Sequence, residues 1–147
     1  MSLNTLEEIA AYIVSEGKGI LAADESNPTC GKRFDSIGVE STENNRRDYR
    51  EMLFRSKGMK GNIGGVILFD ETIRQNAKDG TPLINIIEDQ GALPGIKVDK
   101  GLQPIGDSEE TVTVGLEGLD ERLKEYAAMG AKFTKWRAVI KIGDGMP

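Results

Sequence analysis

Lys97 and Asp99 stand two residues apart in "GIKVDKG" (95–101), and Lys135 and Arg137 stand two apart in "FTKWRAVIK" (133–141). Both segments read as strands. Residues i and i+2 of a strand share a face, so each charged pair projects to one side, with Val98 or Trp136 on the other. With the valine and the tryptophan packed under helices, the charges face inward together. Two lysines and an arginine held in one place can bind a phosphorylated or otherwise anionic substrate. Crowded cations also favour a neutral amine, the form a lysine needs as nucleophile or imine former. An aspartate beside them can carry a proton or orient an ammonium. Two further strand-like runs end on such a residue, "GILAAD" on Asp24 and "GGVILFD" on Asp70.

A lone charge at a strand end is ordinarily solvated. The paired spacing in two separate strands favours the inward reading for Lys97, Asp99, Lys135 and Arg137. Asp70 is explained more simply as ending its strand or capping the next turn. Cys30 reads as buried or incidental, Trp136 as core, and "NNRRDYR" (44–50) as a solvated helix face. After Asp24 comes "ESNPTCGKR". Ser26, Thr29 and the amides around Gly31 could cradle a phosphate with help from Lys32 and Arg33. A plain helix cap accounts for this stretch equally well, and the spacing is not that of a P-loop.

Composition narrows the chemistry. Among 147 residues there is no histidine and one cysteine. That excludes a Ser-His-Asp or Cys-His triad within the chain and argues strongly against zinc. Acid–base work falls to Lys, Asp, Glu, Tyr or water; magnesium on carboxylates stays possible. A single cysteine forms no internal disulfide and fits a reducing compartment. A net charge of −5 weighs against a nucleic-acid partner. No apolar run approaches the roughly 20 residues of a membrane span. The opening "MSLNTLEEIAAYIVSEG" has neither the basic start of a signal peptide nor the arginines of a transit peptide.

The elements that must carry these residues alternate. Leu6, Ile9, Ala10, Ile13 and Val14 fall at helical spacing behind a Thr5/Glu8 capping box, with Gly17 as the stop. A strand over 19–24 follows, then a helix over 41–55 and a strand over 64–70. A helix capped by Thr81, with Pro82 at its first position, runs to Gly91. The third strand is 95–99. The last helix carries Leu116, Leu119, Leu123, Tyr126 and Ala127, and the fourth strand is 133–140. Such β-α alternation implies parallel strands and right-handed crossovers, in a doubly wound sheet or in part of a (β/α)8 barrel. Either architecture binds ligands at the carboxyl ends of its strands.

At these residues the chain resembles a known family. "GKGILAADES", "IGGVILFDETI", "GIKVDKG" and "FTKWRAVIKIG" resemble, in order, successive motifs of class I fructose-1,6-bisphosphate aldolase. "SIGVESTENNRRDYREMLF" and "EGLDERLKEYAAMGAKF" look like the same family. The resemblance implies a (β/α)8 barrel, with residues 1–147 as the N-terminal half of one undivided domain: a leading helix and about four strands. It implies metal-free and cofactor-free cleavage of fructose 1,6-bisphosphate through a lysine imine, in a cytoplasmic, commonly tetrameric enzyme. Asp24 then works at the substrate's C4 hydroxyl and near the imine, in a region that Lys135 helps keep polar and cationic while binding substrate. Lys97 and Arg137 contact substrate, and Ser26, Thr29, Lys32 and Arg33 line a phosphate region. Thr29 replaces a serine of some members and keeps the hydroxyl. Family members are much longer. The imine-forming lysine, the proton-handling glutamates and the glycine-rich loop for the other phosphate have no counterpart among these residues. The expectation is therefore half of an aldolase site, inactive alone, on a half barrel whose open edges make it associate. A non-catalytic half barrel that binds a phosphosugar or a partner is the alternative. A phosphoacceptor receiver domain would need an acidic pair after its first strand, which Asp24-Glu25 supplies, and a fifth strand, which is not visible.

Overall fold

A computed structural model of the chain describes residue 3, residues 5–143 and residue 145. Met1, Ser2 and Asn4 of the opening "MSLN", and Asp144, Met146 and Pro147 of the closing "GDGMP", lie outside that set. Four parallel strands carry the fold: β1 (Gly19–Ala23), β2 (Ile63–Leu68), β3 (Leu93–Lys97) and, last in the chain, β6 (Phe133–Lys135). Their order in the sheet is β1-β2-β3-β6. Each strand lies beside the previous one of this set, so the winding never reverses. A doubly wound sheet needs a point where strand order turns back, as a receiver domain does. Continuous winding in one direction is how a (β/α)8 barrel is built.

The helices follow from local signals. In α1 (Leu6–Ile13) the Thr5 side chain accepts from the Glu8 amide, and Glu8 accepts from the Thr5 amide. "ESNPTCGKR" becomes α2 (Asn27–Asp35), begun at Ser26, with Pro28 in the first turn where a missing N–H costs nothing. Gly31 is thus inside a helix, and its amide is not part of an open phosphate cradle. α3 (Glu43–Phe54) is capped by the Thr42 hydroxyl, and α4 (Asp70–Ile73) is a single turn after β2. α5 (Leu83–Asp89) starts one residue later than read, with Pro82 as its cap. α6 (Leu119–Ala128) precedes β6.

One element escaped the sequence reading. After β3 an antiparallel hairpin, β4 (Leu102–Pro104) with β5 (Thr111–Thr113), stands beside the sheet. The four strands also differ in extent: β1 stops at Ala23 and β2 at Leu68, so Asp24 and Asp70 follow their strands, and β3 and β6 differ more. β3 begins at Leu93, includes Pro94, whose carbonyl accepts the Lys132 amide, and ends at Lys97, so Val98 and Asp99 follow it. β6 is shorter than the expected 133–140, so Trp136 and Arg137 follow it rather than belong to it.

Alternation along the strands sorts side chains to two faces. Ala23, Val66, Leu68, Ile96 and Val98 are buried in one core with Phe54 and the apolar residues of α5. Trp136 packs against that core. The opposite face is concave. A flat four-stranded sheet would hold β1 and β6 about 14 Å apart, yet Lys135 at the end of β6 reaches Asp24 at the end of β1 within 2.7 Å. The sheet therefore curls as a barrel wall does. Near its floor the Phe133 ring lies across β3 and β2, where a Cβ on Gly95 would come within 2.3 Å of it and one on Gly65 within 3.0 Å.

Candidate active site

The carboxyl ends of all four strands open onto a cavity of about 900 Å³. Asp24, Ser26, Thr29 and Arg33 line it from the β1 side, and Lys97 and Asp99 from β3. Lys135 and Arg137 close the far side. Lys32 is the one candidate left out. It is exposed on α2 and does not line the cavity. Neighbours in a helix point roughly 100° apart, so Lys32 and Arg33 cannot share a face.

The cations do not crowd one another bare. Lys135 Nζ donates to Asp24 Oδ2 at 2.7 Å. Lys97 Nζ lies 2.9 Å from Asp99 Oδ1 and donates to the Asp99 carbonyl at 2.7 Å. Carboxylates alternate with ammonium groups, so the two lysines meet Asp99 and Asp24 rather than each other. Burial would raise the Asp99 pKa. The Lys97 hydrogen bond and charge outweigh burial, and the carboxyl is held below its usual range. Its Oδ2 is buried with no hydrogen-bond partner among the described residues.

At the β1 end, Ser26 and Thr29 bring their hydroxyls within 3.1 Å of each other. They sit on the first turn of α2, where unpaired backbone amides and the helix dipole favour an anion. Arg33 pairs with Glu25, and its Nη1 donates to Tyr49 Oη at 3.3 Å. These contacts, that with Tyr49 foremost, raise the Arg33 pKa.

A second group was missed by the sequence reading. Arg74, Arg122, Glu125 and Tyr126 also line the cavity. Asp70 accepts from Arg74 at 2.8 Å and from Tyr126 Oη at 2.9 Å, and Arg74 bridges on to Glu125 at 2.6 Å. Burial works against ionised Asp70, but Arg74 and Tyr126 bring its pKa below the usual value. Arg74 is raised, chiefly by Glu125 and then by Asp70. Arg122 braces the β3–hairpin connection through the carbonyls of Val98 (3.0 Å) and Gly115 (2.5 Å). A signal existed for these residues: Arg122, Glu125 and Tyr126 fall three and four apart on α6, and Arg74 follows Asp70 by four.

"NNRRDYR" is not the solvated face that its composition suggests. Arg46 and Arg50 are buried. Arg46 forks onto both oxygens of Glu71, at 2.8 and 2.6 Å. Arg50 enters the β1–α2 turn and lies 3.1 Å from Glu25 Oε2.

Consecutive parallel strands with their charged ends gathered over one cavity define part of a (β/α)8 barrel, with a ligand site in the usual place for that fold. Residues 5–147 match the family model described as fructose-bisphosphate aldolase class-I. The chain belongs to the class I fructose-bisphosphate aldolase family. It is 54% identical to a probable fructose-bisphosphate aldolase class 1 of Xanthomonas campestris, over all of this chain and 44% of that protein. It is 55% identical to the cytosolic fructose-bisphosphate aldolase 6 of Arabidopsis thaliana, over 94% of this chain and 39% of that one. The aldolase of Plasmodium falciparum, solved in complex with TRAP and a small-molecule inhibitor, superposes with a TM-score of 0.89 at 50% identity, covering 95% of this chain and 41% of its own. The chain thus spans less than half the length of these relatives.

Proposed function

We propose that these residues form the first half of the active site of a class I fructose-bisphosphate aldolase, which cleaves fructose 1,6-bisphosphate to dihydroxyacetone phosphate and glyceraldehyde 3-phosphate. The observation that carries this reading is the Asp24–Lys135 pair, set 2.7 Å apart across the whole sheet inside a cavity ringed by Lys97, Arg33 and Arg137. The Asp24 carboxylate accepts the C4 hydroxyl proton. The O–H electrons form the aldehyde C=O, the C3–C4 bond breaks, and its electron pair moves onto a C2 imine. Lys135 pairs with Asp24 and holds it in place. Lys97 and Arg137 offset substrate charge, while Ser26, Thr29 and Arg33 take one phosphate at the α2 N-terminus.

The imine itself needs a free amine. Of the three lysines that line the cavity, Lys97 and Lys135 are each held by a carboxylate and are not free to attack a carbonyl. In this reading the imine lysine comes from elsewhere in a longer barrel, of which residues 1–147 are one undivided half. That barrel is cytoplasmic, works without metal in glycolysis and gluconeogenesis, and is tetrameric as its family commonly is.

Two measurements test this. Borohydride reduction of the chain with dihydroxyacetone phosphate is expected to leave Lys97 and Lys135 unmodified; a stable adduct on either overturns the division of roles. Continuing the chain with the C-terminal part of the Xanthomonas campestris relative is expected to give fructose 1,6-bisphosphate cleavage. In that chimaera Asp24→Asn should lower kcat by about 10²-fold or more, and an unchanged kcat removes Asp24 from the chemistry.

A further inference from the structure

The Asp24–Lys135 contact has no ladder to support it directly, because β1 and β6 are the outer strands of the sheet. Its geometry depends on how each strand end is held. On the β6 side the ladder runs to Lys135, and the Val98 amide donates to the Lys135 carbonyl at 3.1 Å. On the β1 side the ladder stops at Ala23, one residue short of Asp24.

Arg50 supplies the missing support from the buried side. Its Nε donates to the Ala23 carbonyl at 3.2 Å, and its Nη2 to the Glu25 carbonyl at 2.8 Å. Nη2 also meets the Glu25 carboxylate at 3.1 Å, and Nη1 reaches the Cys30 sulfur at 3.1 Å. One rigid guanidinium therefore holds the backbone on both sides of Asp24 and ties it to α2. The side chain is 1% exposed and does not line the cavity. A buried ion pair is a poor stabiliser, since apolar side chains of similar volume serve a core as well or better. A planar fork is what the turn requires, because a lysine cannot reach two carbonyls and a carboxylate at fixed angles.

We propose that Arg50 is a positioning residue that fixes the β1–α2 turn so that the Asp24 carboxylate faces Lys135. Its catalytic meaning rests on the role proposed above for Asp24. The contact itself can be read without turnover, by trace acetylation of the full chain with acetic anhydride and site-resolved mass spectrometry. Lys97 is the internal reference, because its partner Asp99 makes no contact with Arg50. Asp24→Asn sets the reactivity of Lys135 without its carboxylate. Arg50→Lys is expected to raise the Lys135-to-Lys97 labelling ratio about two- to fivefold, towards the Asp24→Asn value, and Arg50→Met to raise it at least as far. Should Arg50→Met fail to fold, Arg50→Lys alone decides, since it keeps the buried charge beside Glu25. An unchanged ratio overturns the proposal. So does an equal rise at both lysines, which would mark general loosening.

In the chimaera, Arg50→Lys should lower kcat about tenfold with KM changed less than about threefold. A raised KM with kcat intact overturns the proposal. A wild-type chimaera without cleavage activity would count against the proposed function alone, because the labelling ratio does not depend on it.

Discussion

Lys97 and Asp99 illustrate how an ion pair can serve a site while straining the fold that carries it. The Asp99 side chain is 1% exposed and one of its oxygens has no partner among the described residues. Removing Lys97 leaves a buried charge uncompensated, which costs about 3–5 kcal/mol. Lys97→Met should therefore lower the urea midpoint markedly at pH 7, and adding Asp99→Asn should restore much of it. The pH dependence stems from the depressed Asp99 pKa. The pair's contribution is complete above the unfolded aspartate value and is lost as pH falls through the folded one. The gap between wild type and Lys97→Met should then close on acidification below about pH 4; a gap independent of pH would separate the two residues energetically. In titration calorimetry the same variant should weaken fructose 1,6-bisphosphate binding by about tenfold or more, and retained affinity would take Lys97 out of the site. The pairing of these residues was legible from their i, i+2 spacing, although β3 ends at Lys97 and Asp99 follows it. Asp24 was legible as an acid after its strand; Arg74 was missed although Asp70 lies four residues before it, because its other partner, Glu125, comes from a distant element.

At the scale of elements, period and punctuation were readable. The Thr5/Glu8 capping box, the apolar run of β2 and the glycine stops all mark real boundaries. What failed was context. "NNRRDYR" has the composition of a wet surface, yet α3 turns Arg46 and Arg50 into the carboxylates and carbonyls behind β1 and β2. A local pattern cannot show that partners from α4 and the β1–α2 turn wait on the inner side. Pro94 likewise disguised the start of β3, because proline argues against a central strand. Gly65 of β2 and Gly95 of β3 have a steric reason that only the fold reveals, namely the Phe133 ring lying over them. Gly95→Ala places a methyl within 2.3 Å of that ring. It should destabilise the chain by about 1–3 kcal/mol, as measured by urea unfolding, with partial recovery when Phe133 is shortened to leucine. Full stability in the single variant would show that the ring moves without penalty.

As a whole molecule, the half barrel presents two parallel edges, because β1 and β6 each have one neighbour among the described strands. Apolar side chains stand uncovered on α1 and after β6, with Leu6 79% and Ile142 91% exposed. Unpaired edges and bare apolar surface promote association. Sedimentation velocity on the 147-residue chain should show concentration-dependent assembly; a monodisperse monomer that melts cooperatively would contradict this. β-α alternation fits an open sheet as well as a barrel, so the barrel was legible in the family resemblance and not in the pattern of elements.

Asp24 and Lys135 are separated by 111 residues. Their meeting closes a loop over most of the described chain, and contacts of such separation are entropically slow to gain. Three strands and the helices between them can assemble before β6 is available. The pairing that organises the site forms only after β6 is available, and during synthesis it waits until β6 has emerged. A refolding experiment that follows protection of Lys135 beside global helix formation should see the lysine lag behind.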